Sequence, residues 1–426
     1  MADDTTTIEV RMYNVGFGDA FRVTVHDGQD TWRMLVDCGV HSQGQARSIS
    51  ESVKNIIADL ADDCGDAPPH LDVVVATHHH QDHISGFAED DWSGVHVDQV
   101  WVPFVEDPDD PEGKAVRRAQ SLTAQKLDAL ISARQNLAAS DTKAGVMLAA
   151  AQAFAVNSSG NEKATNRLLS RNGVQFANQP EVRFLPDRDA VANTINTEKC
   201  GVTAHILGPP RDPAMLKKMN PPASAGWLTL NLDDDEPADS SKGVYPLFNR
   251  TYFIADKAQV PTELAKAQSK LRLSALSNDA GLLAAASILE RSVNNTSVFF
   301  VLDVHGVRLL FPGDAQEGAW EHVRNDPDAL ALIENVHFYK VGHHGSHNAT
   351  PKVFVENDWA VPGDAMVPWG LVERWKTTIP KKELIDALSE KHHRVILPQK
   401  VLDGDQTGSK FVQDQWWSQL TFTVPQ

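Results

Sequence analysis

Apolar residues recur along the first seventy positions with two different periods. They alternate or cluster in residues 8–13, 20–26 and 32–37, three short runs punctuated by Gly16, Gly18 and Gly28, which predicts strands in an antiparallel start. In 48–62 the apolar Val53, Ile56, Ile57 and Leu60 follow the three-to-four spacing of one helical face, and 71–76 is an apolar run suited to a buried strand. Beyond Trp101 the acidic, proline-broken residues 106–112 interrupt the alternation, and 114–169 is alanine-rich and helix-prone. Strand character returns at 182–185 and 202–207, the latter running into Gly208-Pro209-Pro210. A second irregular stretch holds the acidic run 233–236, the aromatic Tyr245, Phe248, Tyr252 and Phe253, and an amphipathic segment over 262–289. Runs 297–304 and 307–311, joined by His305-Gly306, predict a hairpin. A helix over 317–324, a strand over 336–341, a helix over 381–391 and strands at 395–397 and 420–424 complete the chain. Strands interleaved with helices place the chain in the α/β class, as one domain over 1–426 with helical insertions at 104–180 and 211–291.

Composition narrows this picture. With 426 residues, 42% hydrophobic and 23% charged, the chain has ample material for a large core. Its start, Met1-Ala2-Asp3-Asp4-Thr5, is acidic rather than basic and apolar, and its longest nearly apolar stretch, 145–156, falls short of the ~20 residues a bilayer needs. A cytoplasmic protein without membrane contact is the expectation. Three widely spaced cysteines, Cys38, Cys64 and Cys200, suit a reducing compartment and offer no Cys-x-x-Cys zinc pair, so any metal must use histidine and carboxylate. A net charge of −18 repels polyanions at long range, which a pair of bound cations can override locally.

The chemistry concentrates in Thr77-His78-His79-His80-Gln81-Asp82-His83, directly after an apolar strand. His78, His80 and Asp82 alternate, so an extended segment projects them to one side, with His83 where the chain can turn into a helix and Gly86 allowing close backbone approach. His79 and Gln81, out of phase, are expected to face outward. Imidazole and carboxylate in this density suit Zn²⁺, Mn²⁺ or Fe. Asp314, closing Leu309-Leu310-Phe311-Pro312-Gly313-Asp314, and the pair His343-His344 after residues 336–341 add ligands at two further strand ends.

Asn14-Val15-Gly16-Phe17-Gly18-Asp19-Ala20, Leu35-Val36-Asp37-Cys38-Gly39, the 78–83 cluster, Asn294-Asn295-Thr296-Ser297, Gly313-Asp314 and Lys340-Val341-Gly342-His343-His344-Gly345-Ser346 occur in an order that resembles the metallo-β-lactamase superfamily. Their wording is most similar to the hydrolase domain of the competence protein ComEC and its soluble relatives. The similarity covers about 8–102, 182–210 and 294–400 and leaves both insertions unexplained. It implies an αββα sandwich with two divalent metal ions, zinc foremost and manganese or iron as alternatives. His78 and His80 would hold the first metal, and Asp82, His83 and one of His343 and His344 the second, with Asp314 bridging. His343 is the expected ligand, with His344 beside it or touching substrate. The sequence departs from the family at Phe17, where relatives carry Gln, and at the end of 202–207, where many carry a third histidine; His205 lies inside that strand and reads as structural.

The activity so implied is hydrolysis by a metal-bridging hydroxide formed from a water that Asp82 orients or deprotonates, while Lys340 and His344 meet a substrate phosphate or oxyanion. A phosphodiester of nucleic acid or a nucleotide is the first substrate class. A small carbonyl compound (lactone, thioester or β-lactam) is the alternative, and a non-catalytic, metal-stabilised binding module using the insertions as a protein-partner surface is the third.

Overall fold

The computed structural model describes residues 5–41, 44–135, 143–158, 161–221, 279–370, 372, 375, 378–398, 400–402 and 408–424. The acidic and aromatic segment of the second insertion, and 262–278 of its amphipathic run, lie outside these residues.

Sixteen strands form two eight-stranded sheets of mixed direction among the described residues. The first contains β1 (Thr7–Tyr13), β2 (Ala20–Asp27), β3 (Asp30–Cys38), β4 (His70–Val75), β5 (His96–Pro103) and β6 (Glu181–Leu185). The second contains β7 (Thr194–Asn196), β8 (Val202–Gly208), β9 (Phe299–Val304), β10 (Val307–Phe311), β11 (Phe338–Lys340), β12 (Asp364–Met366), β13 (Arg394–Leu397) and β14 (Lys400–Leu402). The chain then returns to the first sheet with β15 (Lys410–Gln413) and β16 (Trp417–Thr423), giving the order β15-β16-β1-β2-β3-β4-β5-β6 beside β14-β13-β12-β11-β10-β9-β8-β7. Each sheet changes character in the middle: β1 to β3 are antiparallel, whereas β3 to β6 run parallel, and β10 to β13 run parallel next to antiparallel β8 to β10.

The burial pattern follows from period-two alternation. Ile8, Val10 and Met12 face Phe300, Leu302 and Leu309 in one core between the sheets. The opposite face of the first sheet packs Leu35 and Val74 against Val53, Ile56 and Leu60 of helix Ile49–Cys64, on the face the sequence spacing predicts. The outer face of the second sheet buries Val301, Leu310 and Tyr339 under helices Glu317–Asn325 and Lys382–Glu390. Helices therefore flank two sheets that pack face to face, a mixed α/β architecture with the principal core in the middle.

The predicted strands recur with shifts at their ends: 297–304 begins as strand only at Phe299, and 336–341 shortens to Phe338–Lys340. His305 and Gly306, both at positive φ, make the predicted hairpin. β5 lies outside the predicted strands, because His96, Asp98 and Gln99 break its apolar run. The first insertion is helical, as Pro111–Gln135, Lys143–Asn157 and Glu162–Leu168. The first two of these pack with Asp279–Asn294, at the end of the second insertion, in a separate cluster that includes Leu127, Ile131, Leu148, Leu282 and Leu289. The two insertions thus build one helical cover.

No helix is long and apolar enough to cross a membrane among the described residues. Cys38, Cys64 and Cys200 are free thiols.

Asp110 moors the cover to the sheets. Its Oδ1 accepts from the N–H groups of Glu112 and Gly113 at 2.9 and 3.1 Å, capping the first turn of Pro111–Gln135, and its carboxylate binds Arg188 and Arg211 at 3.1 and 2.7 Å. Burial pushes the Asp110 carboxyl up, but both guanidinium groups and the Gly113 N–H outweigh it and hold the group far below the usual carboxylate range. A depressed folded-state pKa contributes stability above the unfolded value, ~3.9, and that contribution is lost as pH falls through the folded value. Asp110→Asn, which keeps a capping oxygen but loses the charge, should cost about 2 kcal/mol at pH 7 in urea denaturation. The gap between the two proteins should begin to narrow below about pH 4 and close only as pH falls through the folded value; a gap independent of pH would show that the ion pairs are not its source.

Candidate metal centre

Ligands in an open parallel sheet gather beyond the carboxyl ends of its strands. Asp37 stands at the end of β3, residues 77–83 follow β4, Asp314 follows β10 and His343-His344 follow β11. The two sheets are laced together at this point: Val298 N–H donates to Thr77 O at 2.9 Å, and Ser297 Oγ lies 3.2 Å from His78 Nδ1. Gly313 adopts φ 59°, and a Cβ there would stand 2.7 Å from Ser297 Cβ, so only glycine turns the chain tightly enough to bring Asp314 in.

The 78–83 segment is extended only to His80. There the backbone turns, with His83 and Ile84 N–H both donating to His80 O at 3.0 Å, so Asp82 and His83 reach inward from the short helix Gln81–Ile84. Gly39 makes room for that turn: its missing Cβ would lie 2.5 Å from His83 N and 2.6 Å from Asp82 C. Gly86 likewise approaches Cys38 O too closely for any side chain.

Four imidazoles share one arrangement, with one ring nitrogen tethered and the other turned inward. His78 Nδ1 lies 3.1 Å from Thr77 Oγ1, His80 Nε2 lies 3.1 Å from Ser158 Oγ, His83 Nδ1 lies 2.7 Å from Asp37 Oδ2, and His344 Nδ1 lies 2.6 Å from Pro368 O. The other nitrogens converge: His78 Nε2 on His80 Nδ1 at 3.0 Å, His83 Nε2 on Asp314 Oδ2 at 3.2 Å, and His344 Nε2 on Asp82 Oδ2 at 3.3 Å. Two ligands at ~2.1 Å from a tetrahedral ion stand about 3.4 Å apart, so these separations match pairs that share a cation. His78, His83 and Asp314 form one set of three donor atoms close enough for this, and Asp19, His83 and His344 form another. Asp82 Oδ1 and His83 Nε2 are buried without a hydrogen bond. The residues present therefore fit divalent metal ions, and histidines whose second nitrogen is fixed are what such ions select.

Electrostatics separates the four rings. Burial, then the neighbouring His83 and His80, hold the His78 ring well below its ordinary value, and burial takes His80 down to about 3, so both are neutral donors. Burial opposes charge on His83 too, but Asp314, Asp19 and Asp37 prevail and keep it protonated without a metal. Burial would raise Asp82 and Asp314. The His344 hydrogen bond and the charge of His83 overcome it at Asp82, and His83 with Lys340 overcome it at Asp314, leaving both carboxyls well below the usual range.

Three expectations change. Lys340 is not open to a substrate phosphate: it is 2% exposed, ion-paired with Asp19, 3.1 Å from Asp314 Oδ1 and 3.0 Å from Gly313 O, so its ammonium neutralises carboxylates. The two adjacent histidines exchange places. His343, His344 and Gly345 take φ 46°, 53° and 79°, and this left-handed turn splays the rings apart. His344 goes inward, with its ring centroid 4.0 Å from that of Phe17, while His343 Nε2 faces Glu290 Oε1 at 3.4 Å on the helical cover. His79 faces inward as well, because the first insertion covers that side; its Nδ1 stands 3.2 Å from Glu106 Oε1.

Other contributors were not assigned a role from sequence. Asp19 lies inside the quoted opening motif, and Ser158, Asn161 and Glu290 come from insertions that carry no motif. Asn161 donates to His79 O at 2.7 Å. His205 lies opposite Thr194 in the sheet, half-buried, and belongs to neither set of donors.

Compared with known proteins, the chain matches no family model, and no curated sequence matches it.

Two outcomes follow from this geometry. Gly39→Ala, which drives a methyl into the turn carrying Asp82 and His83, should leave the far-ultraviolet circular dichroism unchanged while bound zinc, read by elemental analysis, falls by more than about tenfold. Lys340→Met strips the counter-charge from Asp19 and Asp314, so the chelator-treated protein should lose about 3–5 kcal/mol in denaturant unfolding. Excess zinc should restore part of that; an equal loss with and without zinc would refute charge compensation as its role.

Proposed function

We propose that the chain is a hydrolase of the metallo-β-lactamase type that holds two divalent metal ions, zinc foremost, and cleaves phosphodiesters of nucleic acid or nucleotides. The four imidazoles with one nitrogen tethered and the other converging on Asp82 and Asp314 carry this reading. The motif order and the pair of face-to-face sheets flanked by helices support it. In this assignment His78 and His80 would hold one metal and Asp82, His83 and His344 the other, with Asp314, whose carboxylate lies in one donor set with His78 and His83, available to both, and Asp19 beside His83 and His344.

Bound metal ions would supply Lewis acidity, making a water nucleophilic at neutral pH and offsetting charge on the leaving oxygen. The protein's residues do the rest. Asp37 fixes the His83 ring from behind, and Thr77, anchored to Asp37 through its N–H and Oγ1 at 2.7 Å each, holds His78. Asp82, ionised and with Oδ1 unengaged, is placed to take a proton from the attacking water. Lys340 keeps Asp314 ionised. The helical cover excludes bulk water from residues that are all but buried, which strengthens each of these interactions. That enclosure, with the charge of −18, favours a nucleotide or a short single strand over a duplex.

Protein loaded with Zn²⁺ or Mn²⁺ should cleave an aryl phosphodiester or short single-stranded DNA. Asp82→Ala and His83→Ala should each reduce kcat/KM by more than about 100-fold, near 2.7 kcal/mol of barrier. No turnover of phosphodiesters alongside turnover of a lactone or thioester panel would move the assignment to carbonyl substrates. Less than one metal ion per chain would favour a binding module instead.

A further inference from the structure

The helical cover approaches the centre through one more pair of residues, Glu290 of the cover and His343 of the 340–346 motif, which the metal assignment leaves unused. Glu290 lies four residues before the end of helix Asp279–Asn294 and is only 7% exposed, an uncommon place for a carboxylate without a task. Its Oε1 faces His343 Nε2 at 3.4 Å, and Asn294, one helical turn on, brings its Nδ2 within 3.4 Å of the same nitrogen. The other ring nitrogen, His343 Nδ1, is buried with no hydrogen bond, and so is Asn294 Oδ1. The backbone N–H of His343 donates to Asp314 Oδ1 at 2.8 Å, which locks this residue against the carboxylate assigned between the metals. His343 and His344 are consecutive non-glycine residues in the left-handed region, each costing ~1–2 kcal/mol, and strain of this kind persists where the surroundings impose a functional geometry. Its effect here is to send one histidine to the metal ligands and the other to the cover.

We propose that the Glu290–His343 pair forms the cover-side wall of the substrate site, with Glu290 orienting the imidazole by accepting from Nε2–H and the buried Nδ1–H donating to a non-bridging phosphate oxygen. Glu290 is then a positioning residue and His343 a substrate contact. The cover becomes a working part of the site, since a donor that must meet the oxygen of a phosphodiester is fixed by a helix that the two sheets do not supply. The unpaired Asn294 Oδ1 adds an acceptor on the same wall, suited to a substrate that carries an N–H or hydroxyl donor near its phosphate, as a nucleotide does.

This inference rests on the phosphodiesterase reading, and its test separates the two. Wild type, Glu290→Gln, Glu290→Asp, His343→Asn and the Glu290→Gln/His343→Asn double variant are loaded with zinc, checked for metal content, and assayed for KM and kcat on bis(p-nitrophenyl) phosphate. Inorganic phosphate binding to the loaded proteins is measured in parallel by calorimetry. All variants should retain wild-type metal content. Glu290→Gln and His343→Asn should each raise KM about tenfold, a larger effect than on kcat, and weaken phosphate binding to match. The double variant should be no worse than the poorer single, because Glu290 acts through His343, and Glu290→Asp should recover part of the loss. Multiplicative effects, lost metal, or unchanged KM and phosphate affinity would overturn the proposal. If wild type cleaves no phosphodiester, the phosphodiesterase reading fails alone, and the phosphate titrations still decide whether the pair binds an anion.

Discussion

Four carboxylates, Asp19, Asp37, Asp82 and Asp314, are buried together where the two sheets meet, each 4% exposed or less. Such a group is tolerable only if opposite charge is built in beside it, since an ionised carboxylate taken out of water without a partner costs several kcal/mol. His83 and Lys340 provide that charge. His83 contacts Asp37 and Asp314 through its two nitrogens, and Lys340 ties Asp314 to Asp19. The compensation is incomplete: burial outweighs Lys340, His83 and His344 at Asp19, whose carboxyl is pushed up. A region with more carboxylate than cation to balance it, and with neutral imidazoles alongside, suits further positive charge. The same residues that make the site costly to bury thus make it a good receptacle for divalent ions.

That charge cluster constrains the backbone around it. Strands β3, β4, β10 and β11 must end in register at one edge, and the turns after them must pass closer than side chains allow, which is why glycine stands at 39 and 313. Both are spent on contact with the neighbouring turn: Gly39 against the helix bearing Asp82 and His83, and Gly313 against Ser297 and Thr77. Asp37 itself sits at φ 58°, a conformation held by its hydrogen bonds to Thr77. The strained turn at His343 and His344 belongs to the same economy of space, since two adjacent side chains can serve opposite walls only if the backbone reverses between them.

Much of this could be read from the sequence, and the boundary of what could not has a physical cause. Apolar periodicity predicts most strands of both sheets and helix Ile49–Cys64, because burial on one side imposes period two or 3.6. It did not reveal β5, whose polar residues His96, Asp98 and Gln99 dilute the signal, nor β7, β12, β14 and β15, each three or four residues long. In the site, residue types were legible and roles less so. Which of two neighbouring histidines turns inward depends on positive φ angles that no spacing rule encodes. Lys340 reads as an exposed lysine beside a strand, but it is buried, because Asp19 and Asp314 approach from segments roughly 320 and 26 residues away, partners that local pattern cannot supply.

The insertions show the same limit most sharply, and they bear on how His78 and His80 are enclosed. His78 Nε2 and His80 Nδ1 converge at 3.0 Å, and His205, in the strand that ends in Gly208, belongs to neither set of donors. What this chain places near that pair is the helical cover. Ser158 holds the outer nitrogen of His80, and Glu290 lies close enough for its charge to act on the same ring. A cation held there would meet two neutral imidazoles, whereas one held beside Asp82, His83 and His344 would also meet an ionised carboxylate, so the first would be bound less firmly. Closing this side with a folded cover, rather than with another strand end, sets residues from outside the two sheets directly against the donors of the centre.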